Sequence, residues 1–266
     1  MNRLGKRLKD IKSAGEKALS IFVTAGYPEL DSTAKLVWNL AEAGADLVEI
    51  GIPFSDPIAD GVTIQKSSQK ALENGITLKR ILHQVEEIRK GSELPVILMG
   101  YLNPVAKYGF QSFVKDAENA GVDGLILPDL IPEESFSYQE VVKTSKIGLN
   151  YLVSPNTPGD RLRTIDGLTR DFIYCVALTG VTGSREGLPP GIADYLSRVK
   201  GATTHPYLVG FGISNPQDAR AIARHADGVI IGSAIIKLIA QSANERAMLK
   251  ATSRFTSEIK KALKGA

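Results

Sequence analysis

Eight times along the chain a short apolar run is followed by a patch rich in glycine, proline or aspartate and then, in most cases, by a segment of helical period. The runs are Ala18 to Thr24, Leu47 to Gly51, Pro95 to Tyr101, Gly124 to Pro128, Gly148 to Val153, Phe172 to Val176, Tyr207 to Phe211 and Gly228 to Ile231. Between them lie helical patterns over Asp31 to Ala43, Thr63 to Glu73, Leu78 to Lys90, Gln111 to Ala120 and Pro132 to Thr144. The first has Asp31 or Ser32 as its cap and Gly44 beyond its end. Parallel strands need helical crossovers and are buried on both faces, which suits apolar runs joined by helices. Eight such units predict an α/β chain folded as one (β/α)8 TIM barrel over residues 1–266, with extra short helices. An open doubly wound sheet is the competitor. It is disfavoured because no strand leads into a GxGxxG turn, and neither a linker nor a composition break divides the chain.

Composition narrows the function classes. The 32 Lys and Arg against 29 Asp and Glu leave a net charge of +3, too small a surplus to argue for nucleic acid or an anionic membrane. A single cysteine, Cys175, cannot form an internal disulfide, and with three scattered histidines it offers no metal-ligand spacing. No apolar run reaches 18 residues, and the basic, amphipathic stretch Met1 to Lys17 lacks the apolar segment of a signal peptide. The expectation is a soluble protein of the reducing cytoplasm, holding no metal.

In a barrel the chemistry sits at the carboxyl ends of the strands. Strand two reads Asp46-Leu47-Val48-Glu49-Ile50-Gly51, and alternation sends Val48 and Ile50 toward the helices and Leu47, Glu49 and Gly51 into the barrel. A buried carboxylate is costly unless it is paired or its pKa rises, and a raised pKa is what acid/base work at neutral pH requires. The structural alternative is a partner Lys or Arg on a neighbouring strand, yet the strands carry no inward basic residue. The following loop, Pro53 to Gly61, is rich in turn formers and carries Asp56 and Asp60. Asp60 is either an ordinary N-cap or turn residue of the next helix, or a second carboxylate folded over the mouth.

Glycine-bearing loops follow strands six, seven and eight: Thr179 to Ser184 with Gly183, then Gly210-Phe211-Gly212, then Gly232-Ser233 at a helix start. Any one glycine suits a plain turn, but three on adjacent strand ends suit a phosphate monoester held by backbone N–H groups. Thr179 to Pro190 is long for its place and fits a lid that excludes water. Phe22, Tyr101, Tyr174 and Phe211 fall near strand ends; singly they read as core, while together they can line a slot for a flat ring. Trp38 reads as packing, and His83, His205 and His225 lie away from the strand ends.

Val48-Glu49-Ile50-Gly51-Ile52-Pro53-Phe54-Ser55-Asp56-Pro57-Ile58-Ala59-Asp60-Gly61 resembles the signature of the tryptophan synthase alpha chain family. The likeness continues through Tyr101-Leu102-Asn103-Pro104, Pro128-Asp129-Leu130, Leu178 to Gly183, Gly210 to Ser214 and Gly232-Ser233-Ala234. It implies a (β/α)8 lyase that cleaves indole-3-glycerol phosphate to indole and glyceraldehyde 3-phosphate. Glu49 would be the acid/base group and Asp60 the acceptor of the indole N–H. Thr182 would close toward Asp60, and Gly183, Gly212, Gly232 and Ser233 would hold the phosphate. Phe22, Tyr101, Tyr174 and Phe211 would wall the pocket. The resemblance also implies a beta chain as partner in an alpha2beta2 tetramer, with Pro53, Asp56 and Asn103 at the contact. It implies no cofactor in this chain, pyridoxal phosphate belonging to the beta chain. Val62 stands where the family commonly has proline, and Gly159 replaces a usual acidic residue. A stand-alone lyase needing no beta chain, and an idle barrel that binds ligand without turnover, are the alternatives.

Overall fold

The structure is a computed structural model that describes residues 2–176, 191–210 and 212–266. In chain order its elements are α1 (Arg3–Ser13), β1 (Ala18–Thr24), α2 (Ser32–Glu42), β2 (Leu47–Gly51), α3 (Val62–Glu73), α4 (Leu78–Arg89), β3 (Val96–Met99), α5 (Leu102–Tyr108), α6 (Phe110–Ala120) and β4 (Gly124–Ile126). A 3-10 turn (Pro132–Glu134) precedes α7 (Phe136–Lys143), β5 (Gly148–Leu149), β6 (Leu152–Val153), α8 (Gly159–Leu168), β7 (Ile173–Val176) and α9 (Ile192–Ala202). The chain continues through β8 (Tyr207–Gly210), α10 (Pro216–Ala223), β9 (Gly228–Ile231), α11 (Ser233–Gln241) and α12 (Glu245–Leu263).

All strand pairings are parallel, in the order β5-β4-β3-β2-β1-β9-β8-β7-β6. The two ends of this order are halves of one extended segment. The Asn150 N–H bonds the Leu125 carbonyl on the β4 side at 2.9 Å, and the Tyr151 carbonyl accepts from the Tyr174 N–H on the β7 side, also at 2.9 Å. The segment therefore joins both edges and closes the sheet into the eight-stranded barrel expected from the apolar runs.

Alternation separates two apolar layers. Leu19, Ile21, Val23, Val48 and Ile50 face outward and pack under the helices. Ala18, Leu47, Ile97, Ile126, Phe172, Leu208 and Ile230 fill the interior, where they meet Leu4, Leu8 and Ile11 of α1. An isolated helix of 11 residues is marginal in water, so α1 exists because burying its apolar stripe stabilises it by about 1.5–3 kcal/mol per side chain. It plugs the amino-terminal end of the barrel. Around that end Asp46 bonds the Leu19 N–H (2.7 Å), Arg7 and Lys260, and Asp123 bonds the Val96 N–H (2.9 Å), Arg89 and Arg3. Arg3 and Arg7 of the N-terminal stretch thus partner rim aspartates at this end, away from the carboxyl ends of the strands.

Several boundaries differ from the expectation: β4 ends at Ile126 rather than Pro128, and the run Gly148 to Val153 is divided into β5 and β6. The third strand stops at Met99 rather than Tyr101, which becomes the N-cap of α5, and Gly100 between them sits where an added Cβ would lie 2.6 Å from Ile52. Pro132 to Thr144 is a 3-10 turn followed by α7, with the break at Ser135.

Candidate functional site

Glu49 projects from the middle of β2, fully buried at 0% exposure. The Ser20 hydroxyl of β1 donates to Oε1 at 2.6 Å, while Oε2 has no hydrogen-bond partner among the described residues. Burial pushes the carboxyl up to about 7, and the Ser20 bond pulls partly the other way. The structural alternative of a basic partner is not met: Arg3, Arg7 and Arg89 are engaged with aspartates at the closed end. At neutral pH Glu49 is therefore poised between donor and acceptor forms.

Asp60 ends the loop after β2. The N-cap of α3 is Gly61, without a side-chain cap bond, so the Asp60 carboxyl does not cap that helix. It is half-buried, and burial raises its pKa while the Tyr101 hydroxyl partly counters the rise. That same hydroxyl accepts the Ala59 N–H at 2.9 Å, and the Asp60 carbonyl accepts from Gln65 Nε2 at 2.8 Å, so the loop is tied on both sides of the carboxyl. Tyr101 is itself positioned by α5, where the Leu102 N–H bonds both oxygens of Asp129 at 2.9 and 3.0 Å. The Tyr101 phenol is pushed up to about 12 by burial, with Asp60 adding to the rise.

Phe22 and Tyr174 line the same mouth. Two glycines make room for them: an added Cβ at Gly51 would strike the Phe22 ring, and one at Gly210 would strike the Tyr174 ring and hydroxyl. The Tyr174 hydroxyl senses the charges of both Glu49 and Asp60, and burial holds its pKa well above 10. The two carboxyls and the aromatic wall thus share one space. Across it, Gly232 is the N-cap of α11 and Ser233, exposed, opens the helix with no side-chain cap. Among the described residues no side chain caps its first N–H groups, which stand at a positive helix end. Gly212, exposed at φ +34, has nothing among the described residues within 4 Å of where a Cβ would stand. Thr182, Gly183 and Phe211, with the proposed lid at 179–190, lie outside the described residues.

Among the partner-contact candidates Asp56 and Asn103 are exposed, whereas Pro53 is buried and shapes the loop from beneath. Exposed apolar side chains include Ile58 and Val62 in and after the β2 loop and Ile131 and Phe136 beyond β4. Ser20 and Asp129 are the functional supports that sequence reasoning passed over. Ser20 carries no sequence pattern of its own, because its partner Glu49 lies across the sheet on β2. Among the described residues no group of three or more His, Cys, Asp or Glu could hold a metal ion, and no helix is long and apolar enough to cross a membrane.

A closed parallel barrel with a desolvated carboxyl on its wall and a helix N-terminus at its mouth has the layout of (β/α)8-barrel enzymes, whose sites lie at the carboxyl ends of the strands. The family profile described as "Tryptophan synthase alpha chain" matches residues 8–264. The chain belongs to the tryptophan synthase alpha chain family, a lyase family of tryptophan biosynthesis. A tryptophan synthase alpha chain from Caldanaerobacter subterraneus subsp. tengcongensis is 45% identical over 99% of this chain and 100% of its own length. The crystal structure of tryptophan synthase subunit alpha from Legionella pneumophila str. Paris is 37% identical, covers 100% of both chains and superposes with a TM-score of 0.93. A structure of Mycobacterium tuberculosis tryptophan synthase is 31% identical, covers 100% of this chain and 99% of its own, and has a TM-score of 0.91.

Proposed function

We propose that the chain cleaves indole-3-glycerol phosphate to indole and glyceraldehyde 3-phosphate in the cytoplasm, as the alpha subunit of an alpha2beta2 tetramer. The observation that carries the reading is Glu49: buried, its pKa pushed up to about 7, and without a hydrogen-bond partner at Oε2 among the described residues. The neutral carboxyl gives its proton to indole C3, and positive charge appears on the ring nitrogen. The ionised carboxyl then takes the proton of the adjacent glycerol hydroxyl. The oxygen's electrons form the aldehyde carbonyl, the carbon–carbon bond breaks, and its pair returns to the ring to neutralise the nitrogen. Glu49 begins and ends protonated, so no co-reactant is consumed. Asp60, half-buried and tied beside Tyr101, accepts the indole N–H and stabilises the transient positive charge.

Phe22 and Tyr174 hold the flat ring, and Gly212, Gly232, Ser233 and the α11 N-terminus hold the phosphate. Phe211, Thr182 and Gly183 complete the pocket in the same reading. Both proton and charge stabilisation come from protein groups, and pyridoxal phosphate is assigned to the beta chain. Asp56 and Asn103, with Ile58 and Val62 near them in the chain, are exposed and available to that partner.

Indole release from indole-3-glycerol phosphate, measured with and without a beta chain, tests the proposal. Strong activation by the beta chain supports the subunit reading, a high rate alone supports a stand-alone lyase, and ligand binding without indole overturns the chemistry.

A further inference from the structure

We infer that Ser20 is a positioning residue for Glu49: it holds Oε1 and leaves Oε2 as the one oxygen that passes the reacting proton. The inference rests on the reading of Glu49 as the acid/base group. Ser20 is fully buried on β1, and its hydroxyl makes no other hydrogen bond among the described residues. It neither caps a helix nor closes a turn. Its register neighbours on the adjoining strands are Leu47 and Ile230, and the strand's own inward positions on either side are Ala18 and Phe22. A hydroxyl in such a layer is costly to bury without a partner, and Glu49 is the partner it has, at 2.6 Å.

The bond acts on geometry and on charge. A carboxyl on a flexible side chain can present either oxygen, and a bond to Oε1 removes that freedom, as preorganised proton transfer requires. It is also stronger to the ionised form than to the neutral one, so it restrains the upward pull of burial. The other titratable groups at this space are Tyr174 from β7 and Asp60 from the β2 loop. The remaining interior positions of β3, β8 and β9 are apolar, namely Ile97, Met99, Leu208 and Ile230. No described cation competes with Ser20 for Glu49.

The test compares wild type, Ser20→Ala and Ser20→Thr. The Glu49 carboxyl is titrated by infrared difference spectroscopy against Glu49→Gln, and the pH profiles of kcat and KM for indole release are recorded alongside. Ser20→Ala is expected to raise the Glu49 midpoint by about one pH unit and to lower kcat about tenfold with KM little changed. Ser20→Thr, which keeps the hydroxyl, is expected to restore the midpoint. A midpoint that stays put in Ser20→Ala, or that Ser20→Thr raises equally while both variants remain folded by circular dichroism, overturns the inference. Wild-type protein that releases no indole contradicts the functional reading instead, and the infrared titration still decides whether Ser20 governs Glu49.

Discussion

Glu49 shows what a residue's position does to its chemistry. Its carboxyl titrates near 7 in the fold against 4.5 for the ordinary side chain, because the barrel removes water and supplies one hydroxyl in its place. The sign of the linkage follows. Folding carries this group's favourable contribution fully below about pH 4.5 and loses it as pH rises to about 7, a loss on the order of 3 kcal/mol. Glu49→Gln has no such titration. Urea denaturation of both proteins at pH 4.5, 6 and 7.5 is therefore expected to show wild type losing stability relative to Glu49→Gln as pH rises; parallel curves would refute the raised value. Glu49 was legible from period-2 alternation alone, since a carboxylate facing a barrel interior without an inward cation is conspicuous. Its tuning by Ser20 was not, because a serine in a strand carries no pattern until its neighbour across the sheet is known. For Asp60 the sequence left cap and site both open, and the structure removes the cap: Gly61, not Asp60, is the N-cap of α3.

At the scale of elements, two helix starts shape the mouth. Val62 opens α3, is largely exposed, and follows a Gly61 whose ψ of 161° is the extended conformation that a following proline demands. Val62→Pro is expected to raise stability by about 0.5–1 kcal/mol through the unfolded chain, read as a higher melting temperature with the loop's activity retained. Ser233 opens α11, whose free N–H groups form the proposed phosphate seat. Ser233→Asp places a like charge there and is expected to raise KM at least about tenfold and to abolish competition by inorganic phosphate; unchanged competition would remove the seat from α11. Apolar periodicity located most of the core elements, β3 excepted at its end. Helix α5 escaped it because seven residues are too few for a helical period to show, and its start is set by Asp129 receiving the Leu102 N–H. The role of α1 escaped for another reason: its apolar stripe, Leu4, Leu8 and Ile11, gains meaning only from the hole it fills.

For the whole molecule, closure rests on one segment, 148–153, joined to β4 on one side and to β7 on the other. At its centre Asn150 Oδ1 accepts the N–H groups of Asp171 and Phe172, each at 3.1 Å. Asn150→Ala would leave two buried donors without an acceptor, and a loss of about 2–4 kcal/mol in urea unfolding is expected; a change under 0.5 kcal/mol would mean that the seam is held elsewhere. The count of eight apolar runs made the barrel legible in the sequence, but how it closes was not, since Gly148 to Val153 reads as one strand and serves two partners with different halves. A ring closed in this way plugs one end with α1 and brings strand ends far apart in sequence to the other, so that Phe22, Glu49, Asp60, Tyr101 and Tyr174 meet. Whether that meeting is a lyase site is decided by indole formation from indole-3-glycerol phosphate by wild type and Glu49→Gln in the presence of a beta chain. Wild type is expected to release indole and Glu49→Gln to fall at least about a hundredfold while still binding substrate; full turnover by Glu49→Gln, or no indole from wild type, would contradict it.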